Sequence, residues 1–232
     1  MKALYNLRVN EFKKLVEDLH LTNWMVRDDT APSRRKLVEN RTYFIDLKRR
    51  AESEGITASD DEIISWLDTL SLLYYAFDRV DEHLLNRIQI IQEYTIPFTR
   101  RRADYLLVSS NKILILEFSY DKLGKEYKFE NKLTQAIYYK ELLSNLLPSY
   151  IKIGTYTFMI NPEADPNGEN ISKYNKYNKY CNSEDLANNE KVDDLGEYIN
   201  LFFSNSDDAL LQLSFIDGYE TGLNDAIAGD ED

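Results

Sequence analysis

The chain is poor in metal-binding and cross-linking side chains, with one cysteine and two histidines among its 232 residues. A single cysteine, Cys181, cannot form a disulfide within the chain. So few sulfur and imidazole groups argue against a zinc site. Any metal bound by this chain is therefore expected to be held by oxygen ligands.

Long hydrophobic runs are also missing. No apolar run approaches the ~20 residues that a membrane span needs. The N-terminal stretch MKALYNLRVNEFKKLVEDLH mixes charged residues with apolar ones, which predicts an amphipathic helix over 3–21 and not a signal peptide. We therefore expect a cytoplasmic protein without a membrane partner.

Positive charge is scarce, since 28 lysines and arginines face 40 acidic residues and the net charge is −12. Such a balance disfavours nucleic-acid binding by the surface as a whole. The cations are clustered, however, and three basic triplets lie in the first half of the chain: Arg34-Arg35-Lys36, Lys48-Arg49-Arg50 and Arg100-Arg101-Arg102. They predict a local basic groove or, as readily, solvated ends of helices and loops.

The hydrophobic pattern predicts an α/β protein. Predicted helices cover 3–21, 36–55, 62–77, 128–147, 184–203 and 207–227, and predicted strands cover 88–98, 103–108, 113–119 and 150–161. The order favours antiparallel pairing first and a helical crossover afterwards. We expect a helical N-terminal part over 1–58, a core over 59–165, and a loop with C-terminal helices of the same domain over 166–232.

Two acidic residues interrupt neighbouring strands in RRADYLLVSSNKILILEFSY, residues 101–120. If Ser110-Asn111 is a two-residue turn, residues paired across the hairpin sum to 221, and Asp104 lies opposite Glu117. Their Cβ atoms are then roughly 5 Å apart on one face, and Ser119 shares that face because side chains alternate along a strand.

Like charges placed opposite each other destabilise a sheet, so a compensating group is expected. A divalent cation fits, because Mg²⁺ favours one or two carboxylates together with waters and phosphate oxygens. The hairpin therefore predicts a metal site. A longer turn with another register would instead leave both acids as solvated strand ends.

The surrounding motifs resemble those of the PD-(D/E)XK nuclease superfamily. They occur in the order SWLDTLSLLYYAF, IQEYTIPFTRRRADYLLV, ILILEFSYD, TQAIYYKELL and GTYTFMIN, over roughly residues 60–162. The stretch EYTIPFTRRRAD is most similar to nuclease-like domains joined to Schlafen-type helicases. The resemblance implies a restriction-endonuclease-like central mixed sheet flanked by helices. It also implies a Mg²⁺- or Mn²⁺-dependent cleavage of phosphodiester bonds.

The resemblance carries over to individual positions. Asp104 and Glu117 match the motif acids, and the backbone carbonyl of Phe118 is implied as a further metal ligand. Gln135 and Tyr139 match the helix motif and share one helix face, being four residues apart. An upstream acid sometimes joins the metal, and Glu93 is the first choice here. Glu82 is the second choice.

The family lysine is missing, because Ser119 stands at its position. That lysine would position the attacking water and stabilise developing negative charge, which a serine hydroxyl cannot replace. Either a lysine from the following segment has taken the role or catalysis is lost. The candidates are Lys122, Lys125, Lys128 and Lys132, of which Lys122 is the first choice. If the chain never binds metal, we expect a substitution at Ser119 to change only stability, and by the small amount that is usual for a surface change.

Three functions remain open on the sequence alone. The first is an active metal-dependent nuclease whose Arg100, Arg101 and Arg102 contact the nucleic-acid backbone, with roles in phage defence or DNA repair expected by analogy. The second is a catalytically degenerate nuclease fold that binds nucleic acid, a helicase or another protein partner. The third is an acidic interaction protein whose carboxylates have no metal role.

Overall fold

The computed structural model describes residues 2–22, 24, 35–36, 38–120, 127–160 and 195–204. Within them the chain forms five strands and six helices, in the order β1 (Tyr5–Arg8), α1 (Val9–Asp18), α2 (Thr42–Ser53), α3 (Asp60–Phe77), α4 (Glu82–Leu85), β2 (Gln89–Thr95), β3 (Arg102–Val108), β4 (Lys112–Tyr120), α5 (Tyr127–Leu146), β5 (Lys152–Ile160) and α6 (Leu195–Phe203). Parts of the predicted C-terminal helices, including all of 207–227, lie outside the described residues.

The strands form one mixed sheet in the spatial order β1-β2-β3-β4-β5. The first four strands pair antiparallel, and β5 pairs parallel to β4. A parallel neighbour requires a crossover connection, which α5 supplies. The predicted α/β class and the predicted change from antiparallel pairing to a crossover are therefore confirmed.

Helices cover both faces of this sheet. On one face, residues of α1, α2, α3 and α6 form a common apolar core with strand residues such as Leu107, Leu114 and Leu116. On the other face, Tyr139 and Leu143 of α5 pack on the alternate strand residues, among them Leu106 and Ile115. The strands of the hairpin are buried on both sides and accordingly read as near-continuous apolar runs.

The prediction of one helix over residues 3–21 is wrong at its start. Residues Tyr5–Arg8 form β1, which pairs antiparallel with β2 in the register Tyr5↔Gln92 to Arg8↔Gln89. Only Val9–Asp18 is helical. Without β1 the outer edge of β2 would expose unpaired main-chain groups, and pairing with that edge outweighs the helical tendency of the four residues.

Helix α3 begins at Asp60, two residues before its predicted start. Ser59 is the N-cap, with its Oγ accepting a hydrogen bond from the Glu62 amide at 3.2 Å, and Glu62 Oε2 accepts one from the Ser59 amide at 3.4 Å. This reciprocal arrangement is a capping box. It fixes Glu62 in the first turn of the helix. Only Oε2 of Glu62 takes part in the cap, and Oε1 faces the end of the sheet.

Candidate active site at the open end of the central hairpin

The hairpin of β3 and β4 has the register that the sequence predicts. Val108 pairs with Ile113 and Leu106 with Ile115, and the Ser109 amide donates to the Lys112 carbonyl at 2.9 Å across the turn. The two-residue turn at Ser110-Asn111 is therefore confirmed. Continuing the same register brings Asp104 level with Glu117 at the open end of the hairpin.

Main-chain amides hold the two carboxylates in place. The amide of Phe118 donates to Asp104 Oδ2 at 2.8 Å, and the amide of Asp104 donates to Glu117 Oε1 at 3.2 Å. Each acid is thus hydrogen-bonded to the strand that carries the other. Glu117 is fully buried, whereas about a quarter of the Asp104 side chain is exposed.

Lys132 of α5 supplies the charge that compensates this pair. Its Nζ lies 2.8 and 2.9 Å from the two oxygens of Asp104 and 2.6 Å from Glu117 Oε2. We call Asp104, Glu117 and Lys132 the lysine cluster. The structure thus brings one lysine of the predicted 122–132 segment to the acids. Lys122, the first choice, and Lys125 lie outside the described residues.

Charge and burial act against each other in the lysine cluster. Burial raises the pKa of Glu117 well above its usual value, and the neighbouring charge of Asp104 adds to the rise. Burial alone would lower the pKa of Lys132, but the charges of Asp104 and Glu117 outweigh it and raise that pKa. Lys132 therefore stays protonated. Its positive charge offsets part of the free-energy cost of burying a charged carboxylate at this position.

The face of α5 next to the cluster carries the two residues of the helix motif. Gln135 Nε2 donates to Glu117 Oε2 at 3.3 Å. Tyr139 is buried, and its hydroxyl donates to the Arg102 carbonyl at 3.2 Å. Burial, followed by the charge of Glu117, raises the pKa of Tyr139, so the phenol stays neutral. Both motif residues lie at the site, as the resemblance implies.

Glu93 lies beside this cluster in an unusual backbone conformation. Its φ is +56°, in the left-handed region that non-glycine residues rarely occupy. Its carboxylate accepts a hydrogen bond from Trp66 Nε1 at 2.8 Å and lies 3.3 Å from Arg102 Nε. Arg102 also pairs with Glu62 Oε1 at 2.5 Å. We call Glu62, Glu93 and Arg102 the arginine cluster.

In β2 and β3 the side chains stop alternating regularly between the two faces of the sheet next to Glu93 and Asp104. In β2, Ile91 and Tyr94 both belong to the core under α5, and in β3 so do Ala103 and Leu106. Residues on one face of a strand normally lie two apart, but these lie three apart. Pairing resumes in the same register on either side of Glu93 and Asp104. The break turns the Glu93 carboxylate towards α3 while Asp104 stays on the side of α5.

Burial is the main cause of a raised pKa at Glu93, which is about 8, and the charge of Asp104 adds to it. Arg102 and the indole of Trp66 act in the opposite direction. Glu93 therefore holds a proton more readily than an ordinary carboxyl group, in the immediate surroundings of the candidate acids.

A cavity of about 450 Å³ joins the two clusters. Its lining includes both cations and three of the four acids, together with Arg100, Arg101, Gln135 and Tyr139. Arg100 and Arg101 are exposed, and the guanidinium of Arg101 lies 5.5 Å from the ring centre of Tyr138. Arg102 differs from its neighbours because two carboxylates engage its guanidinium inside the site.

Three other predicted positions have distinct surroundings. Glu82, the second choice for an upstream acid, is exposed on α4 and does not line the cavity. Ser119 is 5% exposed, so the expectation that a substitution there would act as a surface change is wrong. β5 pairs parallel with β4 at that point, with Met159 as the backbone partner of Ser119. Phe118 lines the cavity and has its amide engaged by Asp104.

Sequence reasoning missed two contributors, Trp66 and Glu62. Trp66 stands in the apolar stripe of α3, a pattern that indicates a core residue and nothing more, yet its indole N–H binds Glu93. Glu62 has the signal of a capping box, which accounts for one of its oxygens and gives no hint of the other's contact with Arg102. The contact of Trp66 depends on the left-handed turn of Glu93, and both contacts depend on how α3 packs, which no local pattern encodes.

Comparisons with models of protein families, with curated proteins and with solved structures find no match for this chain. Among the described residues, no group of three or more histidine, cysteine, aspartate and glutamate side chains is arranged to hold a metal ion. None of the described helices is both long and apolar enough to span a bilayer.

Proposed function

We propose that the chain is a metal-dependent nuclease of the PD-(D/E)XK type, with a restriction-endonuclease-like core, that hydrolyses phosphodiester bonds of DNA or RNA. The observation that carries the proposal is the lysine cluster. Two acids on adjacent strands and one ammonium from the following helix converge at a cavity. Gln135 of that helix donates to Glu117, and Tyr139 lines the same cavity, which is the arrangement that the motif resemblance implies.

The site offers oxygen donors, the type of ligand that magnesium and manganese ions prefer. Asp104 and Glu117 are oxygen ligands held level with each other, and the Phe118 carbonyl would be a third. Mg²⁺ is commonly bound by one or two carboxylates with waters and substrate phosphates completing its shell, so a cluster of three acids is not required. When bound, such an ion would lower the pKa of a water molecule and neutralise the phosphate.

The chain's own residues divide the remaining tasks. Lys132 takes the role of the lysine missing at Ser119, placing a positive charge where negative charge develops on the phosphate. Gln135 and the Asp104 amide orient Glu117, since each donates to one of its oxygens. Exposed Arg100 and Arg101 contact the phosphate backbone, which gives affinity without reading the sequence.

A catalytically degenerate nuclease fold that serves as a binding module is the second candidate. The observation that favours it is the closeness of Lys132, because an ammonium 2.6 to 2.9 Å from both carboxylates already compensates their charge. The net charge of −12 favours a protein partner for such a module.

The deciding experiment is a cleavage assay on mixed single-stranded, double-stranded, DNA and RNA substrates with Mg²⁺ or Mn²⁺. We expect metal-dependent cleavage by the wild type and none by Glu117→Ala. Glu82→Ala is the matched control, since it removes an exposed acid that does not line the cavity, and it should cleave as the wild type does. A wild type without cleavage, whose melting temperature does not respond to either metal, would discard the nuclease proposal.

A further inference from the structure

The turn between β2 and β3 carries an exposed aromatic ring on a strained backbone. Residues 96–99 form a β-turn, in which the Thr99 amide donates to the Ile96 carbonyl at 3.2 Å. Pro97 is second in the turn and Phe98 third, with φ +60°. A turn with proline second and positive φ third follows the type II pattern, whose third position prefers glycine or asparagine.

Burial does not account for phenylalanine at this position. The side chain of Phe98 is 55% exposed, so the apolar gain on folding is small while the left-handed conformation costs roughly 1–2 kcal/mol. The turn itself is well tied, since the Ile96 amide donates to the Arg101 carbonyl and the Thr99 hydroxyl donates to the Ile96 carbonyl. A rigid turn thus presents a ring that the fold does not need.

A second exposed ring lies beside the cavity. Tyr138 is 39% exposed, and Arg101 covers it at 5.5 Å. Its ring centre is 6.1 Å from that of the cavity residue Tyr139. The β2–β3 turn and this part of α5 are at the open end of the hairpin, so both rings are at the same end of the sheet as the lysine cluster.

The exposed cations at this end of the sheet favour an anionic ligand. Two of the cationic side chains that line the cavity, Arg100 and Arg101, are exposed, so cations face the solvent at this end of a protein whose net charge is −12. Exposed aromatic rings next to arginines are how proteins bind unpaired bases, because every base offers a face for stacking while the cations follow the phosphates. In a duplex the base faces are covered by their neighbours.

We infer that the ligand of this cleft is single-stranded nucleic acid, with Phe98 and Tyr138 stacking on unpaired bases and Arg100 and Arg101 contacting the flanking phosphates. The inference rests on the proposed function, which makes this cavity the active site. It adds the class of substrate: unpaired strands, overhangs or loops in preference to a continuous duplex.

The test is binding without cleavage. Fluorescence anisotropy with EDTA present compares a labelled oligothymidylate with a blunt-ended duplex of two complementary strands, equal to it in charge, at low and at moderate salt. The wild type should bind the single strand more tightly. Tyr138→Ala and Phe98→Asn should each weaken that binding roughly 5- to 150-fold, the range of one stacked base. Tyr138→Phe retains the ring and should bind as the wild type does.

Two controls separate stacking from damage to the fold. Tyr150→Ala removes an exposed tyrosine before β5, at the opposite end of the sheet, and should leave binding unchanged. Phe98→Asn suits the left-handed position, so its melting temperature should not fall while its affinity does. Equal affinity for duplex, unchanged binding in both ring variants, or no binding to either probe would each overturn the inference.

Failure of this inference and failure of the proposed function are distinguishable. A protein that binds the single strand through Phe98 and Tyr138 but never cleaves it retains the inference and loses the nuclease. A protein that cleaves duplex and single strands alike, with both ring variants as active as the wild type, retains the nuclease and loses the inference.

Discussion

The lysine cluster and the arginine cluster, which line the same cavity, each contain one cation and two carboxylates, and they differ in the cation. Each places one cation between two carboxylates, so each sums to −1 when fully ionised. The ammonium of the lysine cluster is a compact charge on a flexible stem, whereas the guanidinium of the arginine cluster is a planar fork that fits two acids at once. We therefore expect a divalent metal to replace the ammonium far more readily than the guanidinium. On this expectation the lysine cluster is an exchangeable centre and the arginine cluster is a fixed support.

Removing the lysine should have the largest effect. Lys132→Met leaves two acids without their cation, one of them fully buried, and should lower the free energy of unfolding by about 3–5 kcal/mol near neutral pH. Mg²⁺ should restore part of the loss, because the metal supplies the missing positive charge. Urea denaturation with and without Mg²⁺ measures both quantities.

Arg102→Met is the matched variant in the arginine cluster. It should also destabilise the protein, but Mg²⁺ should stabilise it no more than it stabilises the wild type. Equal metal rescue of the two variants, or rescue of neither, would remove the distinction between an exchangeable and a fixed cluster.

The arginine cluster should control how stability depends on pH. The folded pKa of Glu93 is about 8, above the ordinary 4.5, so the folded state binds more protons than the unfolded state between these values. The free energy of unfolding should therefore fall as pH rises from about 4.5 to about 8, with a slope of up to ~1.4 kcal/mol per pH unit from this group.

Glu93→Gln tests that assignment. The variant should flatten the slope in part, since Glu117 has a pKa raised in the same direction and contributes with the same sign. Glu82→Gln, at an exposed acid outside the cavity, should leave the profile unchanged. Urea denaturation at a series of pH values measures it, and an identical slope in wild type and Glu93→Gln would refute the role of Glu93.

A smaller effect is expected from the indole. Trp66→Phe keeps an aromatic ring in α3 but removes the N–H that binds Glu93 at 2.8 Å. The loss should be about 1–3 kcal/mol at pH 8, where Glu93 begins to ionise. It should be less at pH 5, because the bond favours the charged carboxylate and lowers its pKa. A loss independent of pH would indicate a packing effect alone.

The smallest effect on cleavage is expected from a lysine at the family's usual position. Since Lys132 already contacts both acids, Ser119→Lys should leave the rate per folded molecule flat or lower it. In the Lys132→Met background the same substitution should raise cleavage, because the new ammonium replaces the lost one. Circular dichroism gives the folded fraction, which matters because Ser119 is buried. A rise in the wild-type background would contradict the role of Lys132.

Regular strand geometry made half of the site predictable. The turn at Ser110-Asn111 and the period of two were enough to place Asp104 and Glu117 together. The observed pairs have the predicted register, and each acid is hydrogen-bonded to the strand of the other. A candidate for the cation was also in view, because Lys132 stood among four lysines. Sequence spacing could not single it out, since the choice depends on where α5 begins and on how it packs across the sheet.

The other half required departures from regular geometry. The φ of Glu93 is positive, and nothing in QIIQEYT signals a left-handed residue, for which glycine or asparagine is the usual cue. The contacts of Trp66 and Arg102 follow from that turn. Likewise, Tyr5–Arg8 reads as the start of a helix until the unpaired edge of β2 is known.

The two-residue turn at Ser110-Asn111 sets which residues pair across the hairpin, and it therefore determines that the two acids lie opposite each other at the other end. Surface turns usually tolerate added or lost residues during evolution, but here one added residue in β3 or β4 would move every side chain beyond it to the opposite face. Asp104 lies six residues from the turn, about 20 Å along the strand. Relatives of this chain should therefore vary freely in the composition of the turn and hardly at all in the number of residues between the two acids.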